Sequence, residues 1–491
     1  MSNLDSSLLR SALGVALAAA LIAVTAGCAP VRPRPMLDSA AERVGLVGPE
    51  SDKASTPVSS QAAVERSPWS FDPLLVALLQ ASRQNSPDLQ AARARLDAAR
   101  AVAGFAARGL APAGGVSAQL SESQLSVTEA DPYDQGSPRP PRRQILQAGL
   151  AVRWELDLFG RVGTAQAIAA RGVDAEAAAL AGAEALLDAE IVRLYALRRE
   201  RQWARRSLAE ALRLSEQRKR DTAERLAGGL AEPPELWQIE AEHAALRAEQ
   251  AAAEAELQAA RAQLLAAVGL SPLLDHPLRE RLEASAEPGA LPDLQDYALP
   301  PDFLDRRPDV RMAEARLRAA MGETVFAERA SWPSLTLLGS LASVALPGQF
   351  GEAATRSLGI GPALEWNWLS FGRNRLREAA AQAGEQALAA EFEATVLRAV
   401  ADADGAARAW YAARSGWEEA VDAARLAEQA HLRMQKRVDA GLDARVLGLG
   451  AALELRAAER RAVQAWAEAL AAYAALKLAL GVDTAADDGH A

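Results

Sequence analysis

Side chains able to do chemistry are sparse in this chain, and their spacing argues against catalysis. The four histidines, His243, His276, His431 and His490, lie far apart, so none stands beside a second histidine. For the two within helical segments, His243 and His431, a solvated helix face is the default. No glycine-rich phosphate loop follows a strand, and no Ser or Cys nucleophile has a recognisable base. We therefore expect no catalytic residue, no metal and no cofactor. The single cysteine, Cys28, rules out an intrachain disulfide and a thiol zinc cluster. What precedes it is informative: Arg10, an apolar run from Leu13 to Val24 and the small residues Thr25, Ala26 and Gly27 read as a secretory signal peptide over 1–27. Cleavage there leaves Cys28 first.

Thr25-Ala26-Gly27-Cys28 resembles the bacterial lipoprotein box, in which the cysteine thiol is acylated; the box usually has Leu where Thr25 stands. An ordinary signal peptide with a chance cysteine past its cut is the other reading. Ala29 follows, and the resemblance implies that only an acidic residue there would favour retention at the inner membrane. Residues 28–66 are rich in Pro, Ser, Ala and charge without a period, as in a lipid-anchored linker. Beyond the signal no run approaches the ~20 apolar residues of a spanning helix. A mature chain that crosses a bilayer must then use strands. Half of the 491 residues are apolar, and Ala, Leu, Arg and Glu predominate, so the chain should be mostly helical. A net charge of −10 with mixed signs offers no basic stripe for nucleic acid.

An internal repeat organises the rest. Pro87, Asp88, Leu96, Phe105 and Pro112 recur 221 residues later as Pro308, Asp309, Leu317, Phe326 and Pro333. WELDLFGR, Trp154 to Arg161, returns 212 later as WNWLSFGR, Trp366 to Arg373. The same interval carries Arg225, Gly229, Leu264 and Gly269 onto Arg437, Gly441, Leu476 and Gly481. One supersecondary unit has been duplicated. The difference between the intervals falls between Pro112 and Trp154, where a loop tolerates it.

Each unit reads helix, strand, strand, very long helix, return helix. The first spans 67–271, with strands at about 115–127 and 145–159, a long helix 163–226 and a return helix 234–268. A connecting segment, 272–307, leads to the second unit, 308–482. Its strands fall at about 334–345 and 357–369, its long helix at 374–440 and its return helix at 444–480; a tail, 483–491, follows. The strands rest on period two: Leu150, Val152, Trp154, Leu156 and Leu158 against Arg153, Glu155 and Asp157, and Leu358, Ile360, Leu364, Trp366 and Trp368 against Glu365 and Asn367. About ten alternating residues ending in tryptophan match a tilted membrane strand, with Trp154, Trp366 and Trp368 as its aromatic girdle. A small soluble sheet packed on helices would show the same alternation. Four strands cannot close a barrel, and an open sheet in lipid leaves unsatisfied edges, so the membrane reading makes several chains share one barrel. The first long helix amounts to ~95 Å at 1.5 Å per residue, more than a compact domain holds. Gly228, Gly229, Pro233 and Pro234 end it and start the return. The helices alone would suit a coiled-coil interaction protein; the two amphipathic strand pairs argue against that.

These anchors resemble the TolC family of outer-membrane channel proteins, most closely its lipoprotein branch serving resistance-nodulation-division (RND) pumps. The resemblance covers roughly Ser67 to Val482 and is carried by WELDLFGR and by LDRRPDVRMAEARL, Leu304 to Leu317. It implies a mainly α fold with membrane β: three chains build a 12-stranded β-barrel continued by a 12-helix α-barrel, belted by the connecting segment. It assigns RLAGGL (Arg225, Gly228, Gly229, Leu230) and RVDAGL (Arg437, Gly441, Leu442) to the periplasmic tips where an adaptor docks. Leu226 and Val438 stand where the family has an aromatic. Glu235 fits the acidic residue that narrows the closed aperture, while Gly450 takes that place in the second unit. Glu232 and Asp443 are further gate candidates, and helix capping is an equal reading of Glu232 and Glu235. The implied function is the passive exit duct of a tripartite efflux system: a homotrimer in outer-membrane lipid, anchored through Cys28, with a periplasmic adaptor and an inner-membrane pump. The same fold serving a type I secretion or ATP-driven exporter is an alternative. A lipid-tethered periplasmic coiled-coil scaffold is another.

Overall fold

The computed structural model describes residues 72–127, 133, 142–271, 273, 276–284, 291 and 302–481. Cys28, the linker, His490 and the tail lie outside the described residues. In chain order the elements are α1 (Pro73–Asn85), α2 (Pro87–Ala107), β1 (Ala113–Ser123), β2 (Arg143–Leu156), α3 (Arg161–Ala227), α4 (Pro233–Val268), α5 (Pro277–Ala284), α6 (Phe303–Arg306), α7 (Pro308–Arg329), β3 (Ser334–Ala345), β4 (Arg356–Glu365), α8 (Phe371–Asp439) and α9 (Arg445–Ala479). α3 and α8 run for 67 and 69 residues, about 100 Å of helix each at 1.5 Å per residue. No described helix is long and apolar enough to cross a membrane.

The chain divides into two compact units. The first, from Asp97–Ala175 and Glu314–Glu391, holds a four-stranded antiparallel sheet in the order β1-β2-β3-β4. Its register brings Val116, Leu150, Leu341 and Leu358 into one row and Gly114, Val152, Gly339 and Ile360 into the next. Directly opposed residues share a face, so these rows form one apolar surface across all four strands, and its side chains are largely exposed. The other face carries Gln119, Gln147, Gly149, Ala151, Ser340 and Gly359.

Strand ends depart from the alternation. β2 stops at Leu156, short of 159, because the Asp157 carboxylate accepts the Val162 and Gly163 amides at 2.9 and 2.7 Å and so caps the start of α3. Asp157 and Leu158 therefore belong to a turn and not to the strand faces. β1 covers 113–123 instead of 115–127. β4 ends at Glu365 and not at 369: Asn367 leaves extended backbone, and Trp368–Ser370 form a 3-10 turn into α8. Trp366 and Trp368 thus sit below the strand. The two repeats share one device here. The Trp154 indole donates to Leu110 O at 2.9 Å, and that of Trp366 donates to Ser331 O at 3.2 Å. These four residues are related by the intervals 212 and 221.

The second unit comprises the described residues of Leu37–Leu96, Glu176–Ala313 and Phe392–Ala491. Its core contains Leu75 and Leu78 of α1, Ile191 and Tyr195 of α3, Leu264 of α4, Phe303 of α6, Trp410 of α8 and Tyr473 of α9. α1 begins where Asp72 accepts the Leu74 amide at 2.9 Å; the same carboxylate meets the Arg199 guanidinium at 2.9 Å and bonds Tyr195. Burial and the Asp72 hydrogen bond push the Tyr195 hydroxyl far above its usual range. Two glycines end the return helices at positive φ, Gly269 at 83° and Gly481 at 60°. A Cβ on Gly269 would lie 2.4 Å from Asn85 O, and one on Gly481 would lie 2.8 Å from the Arg306 carbonyl carbon. Asn85 and Arg306 are again 221 apart, so each return helix closes against the end of the short helix that precedes α2 or α7. The buried Arg307 guanidinium then ties three segments, donating to Ala479 O at 2.8 Å, Ala399 O at 3.2 Å and the Asp309 carboxylate at 2.7 and 3.0 Å.

Candidate functional site

Two turns carry the candidate tip residues, and their backbone explains the sequence pattern. At the end of α3, Leu230 N donates to Arg225 O at 2.7 Å and Gly229 N to Leu226 O at 3.0 Å. At the end of α8, Leu442 N donates to Arg437 O and Gly441 N to Val438 O, both at 2.9 Å. This paired bonding is a Schellman cap, which needs a left-handed residue followed by an apolar one. Gly229 and Gly441 supply it, with φ of 71° and 70°. The apolar residues are not hidden. Leu230 is 72% exposed and Leu442 67%, so each turn ends in a bare leucine.

The arginines of the two turns act differently. Arg225 donates to Leu230 O at 3.1 Å. Arg437 grips the Asp443 carboxylate, and that hydrogen bond holds the carboxyl below the ordinary aspartate value. Because the shift is downward, the contact is complete at neutral pH and lost as pH falls below about 4. Asp443 is therefore fastened to its own turn. Glu232 precedes α4 but makes no side-chain capping bond, and Glu235 lies in the first turn of that helix. α4 and α9 start at Pro233 and Arg445, 212 apart, and by that interval the repeat counterpart of Glu235 is Leu447.

Residues that the sequence did not single out gather at the same end of these helices. Trp237 and Leu447 are exposed apolar side chains one turn into α4 and α9. Arg445 at the start of α9 meets Asp221 of α3 at 3.3 Å, an ion pair between the two helix hairpins. The only sequence signal for Trp237 was an indole following Leu236 at the start of α4. His243 is not on a solvated face: its Nδ1 shares a 3.3 Å hydrogen bond with Ser215 Oγ across the α3–α4 seam, and Glu216 lies 3.6 Å from its Nε2. His276 Nδ1 accepts the Leu278 amide at 3.2 Å and caps α5.

The sheet supplies the second candidate surface: one apolar face over four strands, with β1 and β4 as its edge strands. Residues 78–270 and 299–482 match the family model for outer membrane efflux proteins. The chain belongs to that family. This efflux protein is 28% identical over 470 residues to the pyoverdine export outer membrane protein OpmQ of Pseudomonas putida, covering 90% of this chain and 94% of that relative. It is 36% identical over 124 residues to the outer membrane protein OprJ of Pseudomonas aeruginosa, 24% of this chain and 26% of that protein. Among solved structures, the outer-membrane channel OprN superposes with a TM-score of 0.72 at 26% identity over 89% of this chain and 99% of its own. VceC of Vibrio cholerae gives 0.72 at 23% identity over 85% and 98%. The fold class is that of a trimeric TolC-like channel, in which three four-stranded sheets complete a 12-stranded barrel continued by helices. As an outer membrane efflux protein, the chain is the outer-membrane channel component of an efflux system, extends into the periplasm, and works with an adaptor and an inner-membrane pump.

Proposed function

We propose that this efflux protein is the passive exit duct of an RND-type tripartite system that exports small molecules, and that it performs no chemistry on its cargo. The observation that carries this reading is the sheet: an apolar face across four strands with two open edges cannot remain in lipid alone, and sharing a barrel removes the edges. Trp154 lies on that face, while Trp366 and Trp368 mark the lower membrane boundary.

The turns around Gly229 and Gly441 are the adaptor-docking tips. Arg225, Gly228 and Arg437 shape them, and Leu230 and Leu442 are the apolar contacts they present. The periplasmic gate lies beside them, with Glu232 and Glu235 as its free carboxylates. Asp443 contributes by fixing Arg437, and the Arg445–Asp221 pair holds the two hairpins together until the tips separate. Acyl chains on Cys28 anchor the mature chain to the outer membrane. Detergent-purified protein in a planar bilayer tests the reading. A trimer mass with discrete single-channel currents is expected; a monomeric particle without conductance would refute it.

A further inference from the structure

The polar face of the sheet carries two arginines without an ion pair, Arg143 and Arg153, at opposite ends of β2. In the register, Arg153 of β2 stands in a row with Ala113 of β1, Leu338 of β3 and Gly361 of β4. The next rows are Gly115, Ala151, Ser340 and Gly359, then Ser117, Gly149, Ala342 and Ser357. Apart from Leu338, the side chains of these rows are small and uncharged, so Arg153 protrudes from them alone; Arg143 lies ten residues away along β2, about 33 Å. Glu155, two residues on, is held by Arg161 at 2.6 Å. Glu365 accepts the Asn367 amide at 3.0 Å and pairs with Ser334, four residues from Leu338, or about 13 Å along the strand. Among the described residues the Arg153 side chain has no hydrogen bond or ion pair. Its parity is opposite to that of Trp154 and Val152, so it lies on the face away from the apolar, lipid-facing one, which in a closed barrel is the lumen side.

We propose that Arg153 is a specificity-determining residue of the channel: its three copies ring the barrel with fixed positive charge and favour the passage of anionic small molecules. The inference rests on the channel reading above. Low-dielectric walls focus such a field on the aqueous bore. Three unit charges about 10 Å from the axis, one Debye length away at 0.1 M salt, bias the anion-to-cation permeability ratio by about fourfold. At about 1 M the screening length falls to about 3 Å and the bias should vanish.

Reversal potentials across a potassium chloride gradient, measured on the full-length trimer in planar bilayers, test this directly. Arg153→Gln should lower the chloride-to-potassium permeability ratio about fourfold at 0.1 M, and Arg153→Glu should lower it further, with both effects fading towards 1 M. Arg153→Lys keeps the charge and should match the wild type, which separates lost charge from altered folding. Conducting trimers whose reversal potential is the same in all four proteins overturn the proposal. A wild type that does not conduct strikes the channel reading instead.

Discussion

Arg198 offers a quantitative test of how this fold tolerates buried charge. The side chain lies on α3 with 3% of its surface exposed, and its Nε and Nη1 atoms lack hydrogen-bond partners. Burial, opposed by Tyr195 and reinforced by the neighbouring Arg199, Arg261 and Arg206 guanidinium groups, pushes its pKa down from the usual arginine range to about 10. At 1.36 kcal/mol per tenfold change in proton affinity, that corresponds to about 3 kcal/mol against the charged form in the folded state. The residue 212 positions later is Trp410, fully buried, with its ring centroid 5.3 Å from that of Tyr473, the counterpart of Arg261. An apolar pair therefore fits this place in the architecture. Arg198→Met keeps the stem and removes the stranded charge, so it should stabilise by about 1–3 kcal/mol. The folded pKa is depressed below the unfolded one, so the cost of the charge is fully present below about pH 10 and relieved only above it. The gain should accordingly be the same at about pH 6 and about pH 9. Urea unfolding in detergent, followed by far-ultraviolet circular dichroism, should show a higher midpoint at unchanged slope. A midpoint lowered as far as in Arg198→Ala would mean that the guanidinium is favourably partnered, and the argument would fail.

Trp410→Ala should cost about 3–5 kcal/mol by the same unfolding assay, because a fully buried indole leaves a large cavity, whereas Trp237→Ala at an exposed site should change little. Gly481→Ala should destabilise more than Gly441→Ala: both positions have positive φ, but only the former meets backbone within 3 Å, and the latter should lose about 1 kcal/mol. Arg445→Ser removes the tie to Asp221 at an exposed site, so stability should hold while single-channel conductance and entry of bulky antibiotics rise; unchanged conductance would remove the pair from the gate. Cys28→Ser should leave trimers and conductance intact but make them easier to extract from membranes with mild detergent, and loss of assembled trimer would contradict the anchor role.

The sequence was most legible where one physical rule acts over many residues. Composition and glycine-proline punctuation pointed to α3, α4, α8 and α9, and alternation pointed to β2 and β4, while the glycine-containing β1 and β3 alternate less cleanly. It was least legible where one side chain takes a second job. Asp157 has the parity of a strand residue, yet its carboxylate serves the first amides of α3, and alternation cannot distinguish the two uses. Trp366 continues the period of β4, but its indole reaches back to Ser331 and marks the strand's end. At the tips, Gly229 and Gly441 were visible because a left-handed cap demands glycine. The Arg445–Asp221 pair was not, because it joins different hairpins and neither residue is unusual in its own helix.

What the two repeats share and what they have exchanged follow one division. Shared are the contacts in which backbone is a partner: Gly269 and Gly481 against Asn85 and Arg306, the Trp154 and Trp366 indoles on main-chain carbonyls, and the paired caps at Gly229 and Gly441. Exchanged are contacts between side chains, with Arg198 and Arg261 standing where Trp410 and Tyr473 pack. A backbone contact fixes where a helix ends and turns, and an altered turn would displace every residue after it along a helix of more than sixty residues. A side-chain contact in the middle of such a helix can be replaced locally if volume is conserved. The hairpins are thus constrained at their ends and free to diverge along their length, which lets a duplicated pair meet different neighbours without changing the frame that carries the tips.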